Sequence, residues 1–589
     1  MRSGLSLLVA LLVVALSACA SPRLPGDPQP VEPWDFLLKG ARVVDGTGTA
    51  WQYADVAIRG DRVDRVAPPG TLPRERAREV LELDGMVLAP GFIDLNGQSD
   101  LRYLSDGSAL SKIFQGVTTE IMGESNSPAP VNDLVLGQVD PADTTAVRRA
   151  REWTRFGAWL QEMEAGGVAV NVGSFVGGTT VRRYAMGSRE GPPSHAQLDT
   201  MRAVTARSME EGAFGVATAL IYPPGAYAGT EELVEISRVV AEYGGVYITH
   251  MRNESFRILE ALDEAIRIGE ASGAPVEIYH LKLAGVENWD ATEEVLDRIQ
   301  SARNRGVDVS AGMYPYTAGS TGLTACFPPW TQADDRLEEN LRDPETRARI
   351  RDEALGPPGD WENWCRLATP EGSVVASVSR SEHRDYVGMT LAEVTEAMGR
   401  ESWVDAAMDL VLADESRVGM VYFAMSEENV RRKLTLPYMK FGTDGGGWNP
   451  ETATGQPHPR AYGTYPRILG RYVRDEGVLG LEEAIMKSTW AVARRIGLRD
   501  RGLVAEGFHA DLVVLDLEAL EERATFDEPH QLAVGVEHLW VNGIPVIRDG
   551  EYTGARPGRF VRGPGSVTQD EGRSGSGPGT ARQGDPGRE

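Results

Sequence analysis

At 589 residues the chain exceeds one ordinary domain and fits one large domain with satellites. Its formal net charge of -26, from 86 acidic against 60 basic residues, leaves no basic face for phosphates and excludes a nucleic-acid partner. Only three cysteines exclude a disulfide framework, and Cys326 and Cys365 are expected to pack as small hydrophobes rather than pair or bind metal.

Arg2 followed by an apolar run over 5–16 reads as a signal peptide, too short to span a bilayer as a finished helix. The run ends in Leu16-Ser17-Ala18-Cys19, similar to the lipobox at which bacterial lipoproteins are cleaved and acylated; a plain secretory cleavage site is the other reading. The expectation is a signal segment over 1–19, a membrane anchor by lipid at Cys19, and a Pro, Ser and Gly-rich tether over 20–33. That places the protein in the cell envelope, on the periplasmic side of a bacterial membrane or at the cell surface. Residues 34–89 alternate apolar and polar positions between Asp-Gly and Gly-Asp turns, and a matching piece returns over 500–562. Together the two segments predict a small β-sandwich built from both ends of the chain.

Between them, over 90–499, short apolar strands alternate with amphipathic helices, the order of a (β/α)8 barrel in the α/β class. The strands are predicted to end near Asp94, Met122, Phe175, Thr218, His250, His280, Met313 and Asp444. The last interval is too long for one crossover and predicts an inserted subdomain over 327–433. From about Gly563 to residue 589 almost no residue is apolar, so burial cannot offset the ordering entropy and a disordered tail is expected.

Two of the eight histidines, His250 and His280, end consecutive strands, and neighbouring strands lie about 5 Å apart, close enough for both rings to hold one zinc ion. A catalytic zinc takes a third protein ligand, and Glu124, just after Gly123 at the end of the second strand, is the candidate; the alternative is a supporting acceptor or helix cap. Asp444, in G-T-D-G, is the candidate catalytic carboxylate, because amide hydrolysis needs a group that takes a proton from water and hands it to the departing amine. Lys282, with Tyr314 and Ser320 in the M-Y-P-Y-T-A-G-S stretch, offers charge and hydrogen bonds to a substrate carboxylate. Arg252 and Arg460 are further cationic candidates for substrate binding, and His458 a further polar contact.

The segments L-A-P-G-F-I-D, Q-G-V-T-T, S-N-S-P-A-P, I-T-H-M-R-N-E, I-Y-H-L-K, M-Y-P-Y-T-A-G-S-T-G-L, G-T-D-G and H-P-R-A-Y-G-T-Y-P-R occur in order over most of the chain. In them the chain resembles the D-aminoacylase branch, the N-acyl-D-amino-acid deacylases, of the amidohydrolase superfamily. The resemblance implies a metal-dependent barrel in which His250 and His280 match the histidines on the tightly bound zinc and Asp444 the catalytic aspartate. It also implies that Lys282, Tyr314 and Ser320 meet the substrate carboxylate and that Tyr222 lines the pocket. The chain departs from the family where Asn96 and Gln98 replace a His-x-His pair, where Thr218 and its neighbours stand instead of a bridging lysine, and where Glu124 and Ser125 replace a cysteine ligand. One zinc ion per chain is therefore expected, with N-acyl-D-amino acids or D-configured peptides as substrates. The rival readings are a cyclic-amide hydrolase of the hydantoin kind and a non-catalytic surface binding protein.

Overall fold

The computed structural model describes residues 32–137 and 144–567. Eight parallel strand segments form the barrel: Phe92–Asp94, Val117–Met122, Asn171–Ser174 continued by Val176–Gly177, Gly215–Ala219, Val246–His250, Val276–Ile278, Val309–Met313 and Met439–Phe441. Each is almost wholly buried, as parallel strands covered on both faces must be. The register sets Ala219 beside His250 and Met313 beside Phe441, so the strands finish at one level. Gly97 faces Gly445 across a parallel bridge, and the Gln98 N–H donates to the Gly445 carbonyl, which joins the last strand to the first.

The outer helices follow from apolar positions three and four apart. Ile258–Ser272 buries Leu262, Ala265, Ile266 and Gly269 and stops at Gly273, whose φ of 77° closes the helix in a conformation that glycine adopts without a side-chain clash. Outside the barrel, strands from 34–90 and from 512–552 join in one nine-stranded sheet. Leu38, Val56, Ile58, Leu512, Val514 and Trp540 share its core, so the two ends of the chain bury each other.

Three boundaries differ from the sequence-based expectation. The inserted subdomain begins at strand Gly319–Gly322, which pairs with Gly419–Tyr422 beside Ser373–Ser377, and not at 327. Helix Glu427–Leu434, placed by the pattern in the insertion, instead packs Val430 and Leu434 into the barrel core. Residues 563–567, expected in the tail, lie along the barrel, where the Gly563 N–H donates to Gly212 O and the Val567 N–H to Glu210 O. The signal segment 1–19 with Cys19, tether residues 20–31 and tail residues 568–589 fall outside the described residues. Among the described residues no helix is long and apolar enough to cross a membrane.

Cys326 and Cys365, expected to stay unpaired, form a disulfide. They end up together because the insertion folds the turn Leu323–Cys326 against the short helix Trp364–Leu367, a juxtaposition that their 39-residue separation does not reveal. Closing a loop of that length removes about 4 kcal/mol of denatured-state entropy. Replacing both cysteines by alanine is expected to destabilise the insertion by about 2 to 4 kcal/mol, read as an earlier denaturant midpoint than that of the unaltered protein.

Candidate active site

Beneath the rim a buried ionic cluster sets the geometry of the last loop. Lys112 Nζ donates to Asp94 Oδ2 at 2.6 Å, to Thr443 Oγ1 at 2.7 Å and to the Gly445 carbonyl at 2.7 Å, and lies 3.5 Å from Glu120 Oε1. Asp94 Oδ1 accepts the Thr443 N–H at 2.9 Å. Asp94 of the first strand and Lys112 of the short helix Leu110–Ile113 thereby grip both neighbours of Asp444, which stands at a φ of 47°. His280 at 29° and Ser125 at 63° are also left-handed. Non-glycine residues persist in that region only where the surroundings over-determine them, and three such residues gather at this rim. Gly123, with a φ of 102°, turns the second strand so that Glu124 points inward; a Cβ there would meet the Phe175 carbonyl at 2.3 Å.

Glu124 Oε1 lies 3.1 Å from His280 Nε2 and 3.4 Å from His250 Nδ1, and the two rings cross at 87°. Glu254 faces the other side of both rings, with Oε2 3.2 Å from His250 Nε2 and Oε1 3.2 Å from His280 Nδ1. Each imidazole thus turns one nitrogen toward Glu124 and the other toward Glu254. Burial disfavours the charged form of Glu124, but His280 and His250 overcome it and hold the carboxyl well below the usual glutamate range. Burial also keeps His250 below the usual histidine range. For His280, burial and Lys282 are outweighed by Glu254, Asp444 and Glu124, which raise it to about 9.

Lys282 Nζ donates to Glu254 Oε2 at 2.7 Å and sits 2.6 Å from His280 Nδ1, so its first partner is Glu254 and it acts on the cavity as a nearby charge. Asp444 is held by two groups: Gln98 Nε2 donates to Oδ1 at 2.6 Å, and Arg460 Nη1 lies 2.9 Å from Oδ2. The same Gln98 amide reaches Glu124 Oε2 at 3.2 Å. Burial pushes the Asp444 carboxyl above the usual aspartate range, opposed by Arg460 and His280.

A cavity of about 800 Å³ opens over these groups and is also lined by Tyr222, Tyr314 and Ser320. Tyr314 packs beneath the Arg460 guanidinium at 4.5 Å, and the Tyr314 hydroxyl and Arg460 Nε are buried without a hydrogen-bond partner. Ser320 comes from the insertion's sheet, where its hydroxyl donates to the Met420 carbonyl at 2.8 Å. Tyr222 donates to Thr321 at 2.7 Å, which ties the loop after the fourth strand to the insertion. Arg252 is not in the site: its guanidinium is spent on Glu264 and on the Ala226 and Ala228 carbonyls, and it lines a separate, smaller cavity. His458 lies behind the cavity wall, its ring nitrogens held by the Ala318 carbonyl and the Arg460 N–H.

Among the described residues two groups have ligand atoms close enough for one cation: Glu124, His250 and His280, and His250, Glu254 and Glu362. The first borders the cavity. The second does not suit a metal, because Glu254 is engaged by Lys282 and burial, reinforced by the Glu254 charge, pushes Glu362 up to about 8. Glu124 Oε1 stands within 3.4 Å of a nitrogen on each ring, and two imidazoles with a carboxylate are a donor set of catalytic zinc sites.

Residues 415–547 match the family described as "Amidohydrolase family". A D-aminoacylase of Alcaligenes xylosoxydans xylosoxydans is 34% identical over 540 residues, 90% of this chain and 98% of that protein. The chain belongs to the D-aminoacylase family of amidohydrolases. It is a hydrolase of carbon-nitrogen bonds other than peptide bonds. A solved D-aminoacylase, described by a binuclear metal centre with one-metal activation and second-metal attenuation, superposes with a TM-score of 0.75 at 32% identity, covering 90% of this chain and 100% of that one. An N-acyl-D-glutamate deacylase from Bordetella bronchiseptica, complexed with zinc and a phosphonate that mimics the tetrahedral intermediate, gives 0.74 at 30% identity with the same coverage.

Two carboxylates beside the histidines, Glu254 and Glu362, were not read from the sequence. Glu254 stands four residues after His250, a spacing that is legible once the backbone beyond the strand end is known to fold back. Glu362 arrives from the insertion, where its carboxylate accepts the Glu254 N–H, and no pattern announces it. Gln98 was visible as a missing histidine, but its position between two carboxylates was not.

Proposed function

We propose that this chain is a single-zinc deacylase of N-acyl-D-amino acids or related D-configured peptides. The observation that carries this reading is the meeting of Glu124, His250 and His280 on one wall of a cavity whose other wall holds Asp444 and the unpartnered Tyr314 hydroxyl and Arg460 Nε. Glu124, His250 and His280 would hold the ion, which when bound polarises the scissile carbonyl and acidifies water. Gln98 favours one ion, because its amide N–H group donates to both Glu124 and Asp444 and an N–H donor is no metal ligand.

The chain's own groups do the rest. Tyr314 and Arg460 hold the substrate carboxylate, with Lys282 adding positive potential behind His280. Asp444 takes a proton from the attacking water and returns it to the departing nitrogen, and its raised affinity for protons suits it to both halves of that exchange. The partner is this small molecule; Cys19 would carry the lipid anchor on the periplasmic or outer surface, a compartment in which the Cys326–Cys365 disulfide persists.

The test is metal analysis with a mixed panel of N-acyl-D-amino acids, N-acyl-L-amino acids and hydantoins. We expect one zinc per chain, loss of turnover on chelation, recovery with stoichiometric zinc, and hydrolysis of the D series alone. Preparations that stay metal-free in excess zinc, or that open only the ring substrates, would overturn the reading.

A further inference from the structure

The cavity is larger than the chemistry requires. Tyr314 and Arg460 stand over the seventh barrel strand and beyond the eighth, and the ligand set joins the second strand to the fifth and sixth. Yet the lining continues past Glu124 and Gln98 over the loops that follow the first and second strands, on the opposite side of the barrel from the sixth. There Leu101, Leu104, Val131, Val135, Ala150 and Trp153 give it an apolar surface, interrupted by polar groups that include Arg149 and Arg183. Leu104 and Val135 pack on the barrel core, and the Trp153 indole N–H donates to Glu162 at 2.8 Å, which fixes the ring as a wall. Leu101, at 56% exposed, is a large aliphatic side chain left in water at the mouth of this arm.

The order of atoms along an N-acyl amino acid decides what enters the arm. Carboxylate, Cα, nitrogen, carbonyl carbon and acyl chain follow one another. With the carboxylate on Tyr314 and Arg460 and the carbonyl carbon among Glu124, His250 and His280, the amino-acid side chain leaves from Cα on the carboxylate side. The acyl chain leaves from the far side, past Gln98 and Glu124. We infer that the arm lined by Leu101, Leu104, Val131, Val135, Ala150 and Trp153 is an acyl-chain subsite, and that the preferred substrates carry long or aromatic acyl groups, not acetyl. This deepens the deacylase reading and rests on it. A cavity of about 800 Å³ is in the range of roughly 300–1,000 Å³ that encloses ligands much larger than an acetylated amino acid.

The experiment measures kcat/KM for acetyl, butanoyl, hexanoyl and decanoyl derivatives of the same set of D-amino acids on the zinc-loaded full chain. Each methylene buried in the arm is expected to raise kcat/KM about fourfold, so that hexanoyl exceeds acetyl by on the order of a hundredfold, with a plateau where the arm ends. Leu104→Trp and Ala150→Leu, which fill the arm from two sides, are expected to collapse the hexanoyl-to-acetyl ratio toward one. A flat or falling chain-length profile with clear turnover of the D series would overturn the subsite and leave the deacylase reading standing. No turnover at any chain length would overturn both. The wild-type profile needs no variant, so a poorly folded substitution does not protect the inference.

Discussion

Asp444→Asn is expected to lower kcat by about two to four orders of magnitude while zinc content stays close to that of the unaltered protein. The size follows from what the carboxylate contributes: a positioned group that both accepts and returns a proton. Asparagine preserves the volume and keeps an oxygen for the Gln98 amide, now 2.6 Å from Oδ1, but it cannot carry the proton. It also leaves the Arg460 guanidinium without the charge that lies 2.9 Å from it. Asp444→Ala removes both contacts and separates positioning from proton transfer: equal losses in the two variants place the whole effect on the proton. Unchanged turnover in either would remove Asp444 from the mechanism.

The same residue sets the acid side of the pH profile. Burial raises its carboxyl above the usual aspartate range and Arg460 opposes the rise. The group works as a base when deprotonated, so kcat/KM falls as pH drops through that raised value. Arg460→Met removes the opposing charge and is expected to move the acid limb to higher pH, together with a higher KM from the lost carboxylate contact. A limb that stays in place would mean that another group governs it.

The barrel was legible because its signal is local: short strands recur between amphipathic helices, and His250, His280 and Asp444 stand at or just beyond strand ends. Glu124 was legible for the same reason, as the first polar residue after Gly123 at the end of the second strand. Arg252 shows where local reasoning fails, since a charge two residues after a strand-end histidine can point away from the cavity and be neutralised by the next helix through Glu264. The disulfide, the Glu362 contact and the Gln98 bridge depend on elements far apart in the chain, joining positions 39, 108 and 346 residues apart. Their pairing is a property of the closed barrel with its insertion in place, and no window of sequence contains it.

Glu254 carries the second large expected effect. Its carboxylate, fully buried, is the only anion among the described residues that touches both imidazoles from the side opposite Glu124, and it also holds the Lys282 ammonium. Two consequences separate cleanly. Breaking a buried ion pair by removing one partner strands the other, so Glu254→Gln is expected to destabilise the fold by about 3 to 5 kcal/mol. Taking away the acceptor that orients the rings is expected to weaken zinc binding by about 10- to 100-fold, read by competition with a chromogenic chelator. Adding Lys282→Met to Glu254→Gln removes the stranded charge and should restore most of the stability, but it returns nothing to the imidazoles, so zinc binding should stay weak. If the double variant binds zinc as tightly as the unaltered protein, Glu254 is no more than the counter-ion of Lys282, and the orientation of His250 and His280 comes from strand geometry alone.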